Sequence, residues 1–174
     1  MLLLPADHYI ADPSKFRKAV EEAAPLARKD RIVAFGVTPT RPETGYGYIR
    51  VGDAIDNVSR KVEAFVEKPS LETAASDLKS GNYLWNSGIT LCKPGLLIEE
   101  MLEFRPDIVL NARRAIEFAE RDSATIRLAS EFFEKCDSVS IDYSYGKNFA
   151  GCSRALKYRL ERRRFLGGNL GFVL

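Results

Sequence analysis

The stretch that decides the fold is "VEAFVEKPSLETAASDLKSGNYLWNSGITL", Val62–Leu91. Its opening, "VEAFVEKP", is rich in β-formers and stops at Pro69, which cannot donate to a strand ladder. "SLETAASDLKSG" follows as a capped helix. Ser70 stands three residues before Thr73, and Gly81 closes the end. "YLWNSGITL" then returns to strand composition. Strand, helix and strand in so short a run imply a layered α/β domain, and we expect its mixed sheet to be mostly parallel.

The same alternation extends outward. "LLLPADHYI" opens as a short apolar strand that ends at Pro5-Ala6-Asp7. "PSKFRKAVEEAAPLARKD" reads as a helix, with Pro13 at its start and Phe16, Val20, Ala23 and Ala24 on one face. "RIVAFGVTP" is a second strand, and "RPETGYGYIRVG" is a turn-rich connection carrying Gly45 and Gly47. Past the central stretch, "GLLIEEMLEFRPDIVLNARRAIEFAERD" is helical with a break near Pro106. We see no internal repeat and no low-complexity linker.

The chain has 174 residues, enough for one domain, and is 45% hydrophobic and 29% charged, which is globular rather than disordered. "MLLLP" lacks the length and basic flank of a signal peptide, and no stretch approaches the roughly 20 apolar residues of a membrane helix. The expectation is a soluble, cytoplasmic protein. Cys92, Cys136 and Cys152 form no CxxC pair and His8 is the only histidine, which argues against a zinc site or a disulfide framework.

Several residues could carry chemistry. Asp7 follows an apolar strand, where a carboxylate can hold Mg²⁺ beside substrate phosphates, or simply cap a turn. In open α/β sheets ligands bind beyond the carboxyl ends of strands, which suits Asp7, yet no glycine-rich phosphate loop precedes it. His8 reads as a packed or hydrogen-bonded histidine. In "ETGYGY", Gly45 and Gly47 permit close approach of backbone to a ligand, and would equally suit a bulged hairpin. "VEKP" sets Glu67 and Lys68 at a strand end, able to meet a sugar hydroxyl and a phosphate or only solvent. Asn86 in "WNSG" offers a donor and an acceptor beside Gly88, or marks a turn.

The order of these motifs is more specific than any one of them. "LPADHYI", "FGVTPTRPETGYGYI", "VEAFVEKPSLETA", "SGNYLWNSGI" and "SVSIDYS" together resemble the mannose-1-phosphate guanylyltransferases, over about Leu2 to Ser144. The resemblance implies a Rossmann-like nucleotidyltransferase domain that lacks its first βα unit. It implies nucleotidyl transfer from GTP to mannose 1-phosphate, with Mg²⁺ as cofactor. By position, Asp7 matches the metal-binding aspartate. Gly47, with Tyr46 beside it, matches the backbone that contacts the sugar. Glu67 and Lys68 match the pair that holds mannose hydroxyls and the sugar phosphate, Lys68 joining Asp7 in the catalytic set. Asn86 matches a hydroxyl contact, and Asp142 lies in the "SIDY" motif. The resemblance leaves room for a homo-oligomer and gives no nucleic-acid or membrane partner. The alternatives to an active transferase are an inactive sugar-phosphate-binding fragment or a transferase of a related sugar 1-phosphate.

Two departures stand out. The family's "GGxGTRLWP" loop is absent, so the chain is expected to lack the triphosphate cradle. From Tyr145 the family pattern also stops, and we divide the chain into a partial nucleotidyltransferase domain, 1–144, and a basic tail, 145–174. The tail holds seven bases against Glu161 alone, while the rest holds 19 bases and 23 acids. A charge split of this kind suggests an arm for an acidic partner or a membrane surface. Read one base out of frame, however, the tail's codons can spell "MEKT" and then "GWSDVGSW", the family's own continuation. The tail is therefore expected to be a frameshift product whose basicity has no partner.

Overall fold

A computed structural model describes residues 1–139 and 141, and the backbone of three later strands at 152–156, 161–164 and 170–173. In chain order the elements are β1 (Leu2–Leu3), β2 (His8–Tyr9), α1 (Pro13–Arg28), β3 (Val33–Val37), β4 (Gly47–Ala54), β5 (Arg60–Glu67), α2 (Leu71–Ser80) and β6 (Tyr83–Leu91). They continue as α3 (Pro94–Phe104), α4 (Pro106–Glu117), β7 (Glu120–Arg121), β8 (Ile126–Arg127), α5 (Ser130–Phe133), β9 (Cys152–Leu156), β10 (Glu161–Arg164) and β11 (Leu170–Val173).

Two compact units result. The first comprises 1–93 with 150–174, and the second comprises 94–149. The first is built on a six-stranded sheet in the order β1-β6-β3-β9-β5-β4, in which β6 also pairs with β4. Strands and helices are intermixed along the chain rather than strictly alternating, and the mixed α/β architecture holds. The expected parallel majority does not. Among the described strands of this sheet only β3 and β9 run parallel, while β1–β6, β3–β6, β4–β5, β4–β6 and β5–β9 are antiparallel. The cause is local. "DNVSR" turns the chain straight back, so β4 and β5 form a hairpin rather than a crossover. Asp56 makes that turn by accepting from the Val58 and Ser59 amides at 2.9 and 2.7 Å. The turn-rich reading of "RPETGYGYIRVG" is corrected by the same hairpin, since its second half is strand β4. A small sheet pairs β11 with β10 and, in parallel, with β2.

The core of this unit lies between α1 and the sheet. Ala19, Ala23 and Ala27 recur along one stripe of α1, which lets the helix lie close over Phe35, Val37, Trp85, Ile89 and Leu91. Phe35, Val37, Tyr48, Trp85 and Ile89 are at most 1% exposed, and each such large side chain contributes roughly 1.5–3 kcal/mol by burial. Asp12 caps α1 by accepting from the Ser14 and Lys15 amides, both at 3.1 Å. Ser70 caps α2 through the Thr73 amide, and Gly81 ends it in the left-handed conformation at φ 71°, as the sequence indicates.

In the second unit α3 stops at Phe104 and α4 restarts at Pro106, the break expected at that proline. Arg105 fastens the restart, donating to Asp107 at 2.7 Å and to Asp137 at 2.9 Å. Phe118 and Phe132 stack with centroids 5.4 Å apart. Asp142 lies outside the described residues, as does the domain limit near 144. No described helix is long and apolar enough to cross a membrane.

Candidate functional site

The candidate residues gather where β4 begins, β5 ends and β6 is bent. Register sets the first pair. Gly47 stands opposite Glu67 in the β4–β5 ladder. A β-carbon built on Gly47 would lie 2.8 Å from Glu67 Oε2 and 3.5 Å from Asn86 Cβ. The bare Cα of Gly47 therefore makes room for the Glu67 carboxylate, with the Asn86 amide alongside.

Asn86 owes its position to a bulge. On β3, Ala34 and Gly36 are two residues apart. Their partners on β6, Thr90 and Asn86, are four apart. The extra residues are absorbed at Ser87–Gly88, where Gly88 takes φ 70°. Buried Ser87 fixes the distortion, its Oγ donating to the Phe35 carbonyl at 2.6 Å and accepting from the Ile89 amide at 3.2 Å. Asn86 Oδ1 accepts from the Gly88 amide at 3.0 Å. This leaves the Asn86 Nδ2 protons as donors available to a ligand.

Lys68 leaves the strand with φ 44°, one of two non-glycine residues in the left-handed region among those described. In a regular strand its side chain would face away from that of Glu67. The left-handed turn brings them together, with Nζ 3.6 Å from Glu67 Oε1. Both side chains are exposed, so the pair adds little stability and remains open to exchange for a ligand. The Lys68 amide donates to the Tyr46 carbonyl at 3.2 Å. The Tyr46 ring is buried against Trp85, edge to face at 5.2 Å, so Tyr46 presents its backbone to the site and its ring to the core.

Asp7 is exposed in the turn between β1 and β2. Its segment reaches the bulge through Pro5, whose Cγ is 3.2 Å from where a Gly88 β-carbon would be. Burial lowers the His8 imidazole below its ordinary value of 6.5, and the Asp7 charge partly offsets this. The described residues hold no group of three or more His, Cys, Asp or Glu able to cage a metal. One carboxylate still fits the chemistry of a divalent ion that takes one or two protein oxygens and completes its shell with phosphates and water.

The sequence reading missed Arg41, Glu43 and Ser87, which build the site without heading any motif. The available signal was the acid two residues before Gly45, a spacing that lets a side chain close a turn. A separate cleft of about 640 Å³ lies at the other end of the β4–β5 hairpin, lined by Thr38, Val51, Asp56, Arg60, Leu78 and Tyr83 among others, and contains none of the candidate residues.

The arrangement joins a carboxylate, an ammonium, an amide and a bare glycine backbone at one sheet end, a set suited to a phosphorylated sugar. The sequence profile of the Nucleotidyl transferase family matches residues 1–130. The chain belongs to the nucleotidyl transferase family. Among curated relatives it is 47% identical over 148 residues to mannose-1-phosphate guanylyltransferase ManC of Salmonella typhimurium, covering 83% of this chain and 31% of that protein. It is 45% identical over 148 residues to the mannose-1-phosphate guanylyltransferase of Escherichia coli, with the same coverage. The chain thus spans about a third of the length of these relatives. Among solved structures it resembles the mannose-1-phosphate geranyltransferase of Thermus thermophilus, with a TM-score of 0.78 and 30% identity over 91% of this chain and 44% of that one. It resembles equally the mannose-6-phosphate isomerase of Helicobacter pylori, with a TM-score of 0.78 and 30% identity over 89% of this chain and 60% of that one. Nucleotidyl transferases of this kind generally use a divalent metal.

Proposed function

We propose that the chain carries the sugar-phosphate half of a mannose-1-phosphate guanylyltransferase site, the whole enzyme joining GTP and mannose 1-phosphate into GDP-mannose and pyrophosphate. The observation that carries this reading is the meeting of Gly47, Glu67, Lys68 and Asn86. The identity to mannose-1-phosphate guanylyltransferases supports it.

In the reaction a phosphate oxygen of mannose 1-phosphate bonds to the α-phosphorus of GTP. The bond from that phosphorus to the bridging oxygen breaks, and pyrophosphate departs with its electrons. The nucleophile is already an anion, so alignment and charge neutralisation outweigh general-base catalysis. Glu67 accepts hydrogen bonds from sugar hydroxyls, Asn86 Nδ2 donates to another, and Gly47 lets the ring approach the backbone. The Lys68 ammonium exchanges its contact with Glu67 for the sugar phosphate. Asp7 would contribute an oxygen to Mg²⁺, which when bound offsets phosphate charge. Asp142, by its place in "SIDY", belongs to the same proposed site, in a cytoplasmic enzyme.

Calorimetric titration of the chain with mannose 1-phosphate tests the reading, with glucose 1-phosphate and inorganic phosphate as comparisons. Preferential binding of the mannose compound supports it, and equal weak binding of all three refutes it. Release of pyrophosphate from GTP with Mg²⁺ then tests the full reaction.

A further inference from the structure

The turn that presents Gly47 is held from behind. The Glu43 carboxylate accepts from the Gly45 amide through Oε1 and from Arg41 Nη2 through Oε2, each at 3.2 Å. The Glu43 amide donates to the Tyr48 hydroxyl at 2.9 Å. Arg41 in turn lies over the Trp85 ring, 5.6 Å from its centroid. The Glu43 side chain is 21% exposed, so its carboxylate is partly withdrawn from solvent by these contacts. The turn ends at Tyr46, whose carbonyl receives the Lys68 amide. That bond stands at the one place in the site where backbone strain is stored, since Lys68 is a non-glycine residue in the left-handed region, at φ 44°.

From this chain of contacts we infer that Glu43 is a positioning residue for the sugar-phosphate site, acting through the Gly45–Gly47 turn and the Tyr46 carbonyl on the conformation of Lys68. The inference rests on the functional reading above for its ligand, but not for its geometry. Removing the carboxylate frees the Gly45 amide and the Arg41 guanidinium. The Tyr48 hydroxyl still holds the backbone amide of residue 43, so the fold survives while the turn loosens. Tyr46 then holds Lys68 less firmly, and the ammonium no longer stays beside Glu67.

Two measurements on Glu43→Ala and Glu43→Gln test this. The first is amide hydrogen exchange in the free chain. We expect the Lys68 amide to exchange about 10-fold faster in Glu43→Ala, with α1 amides unchanged, and to return toward wild type in Glu43→Gln, whose Oε1 still accepts from Gly45. The second is mannose 1-phosphate affinity, expected to fall about 10-fold in the alanine variant and to recover in the glutamine variant. Unaltered Lys68 exchange in Glu43→Ala overturns the inference. So does acceleration spread evenly through α1, which marks general loosening. Wild-type affinity alongside faster Lys68 exchange breaks the link between turn and site. If the wild-type chain binds no mannose 1-phosphate, the functional reading fails, and the exchange comparison still decides the role of Glu43.

Discussion

Gly47 and Glu67 face each other across the β4–β5 ladder, and the Glu67 carboxylate fills the space that a side chain on Gly47 would need, 2.8 Å from an added β-carbon. The clash would be with the mobile end of a long side chain, so Gly47→Ala can fold by displacing Glu67. We expect it to melt near wild type while losing about 10-fold or more in mannose 1-phosphate affinity. Gly36→Ala is the control. Its β-carbon would fall 2.6–2.7 Å from Leu84 Cδ1 and Cβ inside the sheet packing, which costs about 1–3 kcal/mol of stability. Thermal melts and titrations of the two variants should therefore diverge in opposite senses.

Lys68 combines charge with strain, and two substitutions separate them. Lys68→Ala and Lys68→Gly both remove the ammonium and should weaken mannose 1-phosphate binding equally. Only glycine relieves the φ of 44°, so Lys68→Gly should be more stable than Lys68→Ala by about 1 kcal/mol. Equal chemical-denaturation midpoints would show that the left-handed turn costs nothing.

Ser87 holds the bulge that positions Asn86. Ser87→Ala leaves the Phe35 carbonyl and the Ile89 amide buried without their partner, a loss of about 1–3 kcal/mol. Binding should weaken as well, because the register that aims Asn86 depends on that bulge. A variant with full stability and full affinity would remove the bulge from the account.

Asp12 gives a pH dependence of known sign. Hydrogen bonds from Ser14 and Lys15 hold its carboxyl well below the ordinary 3.8. A depressed carboxylate stabilises the folded state above its unfolded pKa, and that contribution fades as pH falls below about 4. Asp12→Asn should flatten the acid limb of a stability-against-pH curve. An acid limb as steep as wild type would show that other carboxylates set it.

The elements were legible where punctuation is chemical. Pro13 and Pro106 open helices, Ser70 and Gly81 bracket α2, and Pro69 ends β5, each through a local rule that needs no neighbour. The sheet's sense was not legible in the same way. A parallel majority followed from alternating strands and helices, but Asp56 closes a hairpin that no alternation reveals. Gly45 just before β4, with Gly47 and Gly52 inside it, diluted the strand character of this stretch and made it read as loop. Glu67, Lys68, Gly47 and Asn86 could each be named in the sequence, as could their resemblance to a known site. What brings them together is ladder register, a bulge and one left-handed residue. Those are products of tertiary pairing, and so the supporting roles of Glu43 and Ser87 stayed hidden.

Trp85 is the chain's only tryptophan, and it sits one residue before Asn86, with the Arg41 guanidinium over its ring and the Tyr46 ring in edge-to-face contact. The protein therefore carries its own fluorophore beneath the site. Any ligand that draws on Asn86 or shifts the Tyr46 backbone must alter the surroundings of that indole, so occupancy can be followed by intrinsic emission, without a label.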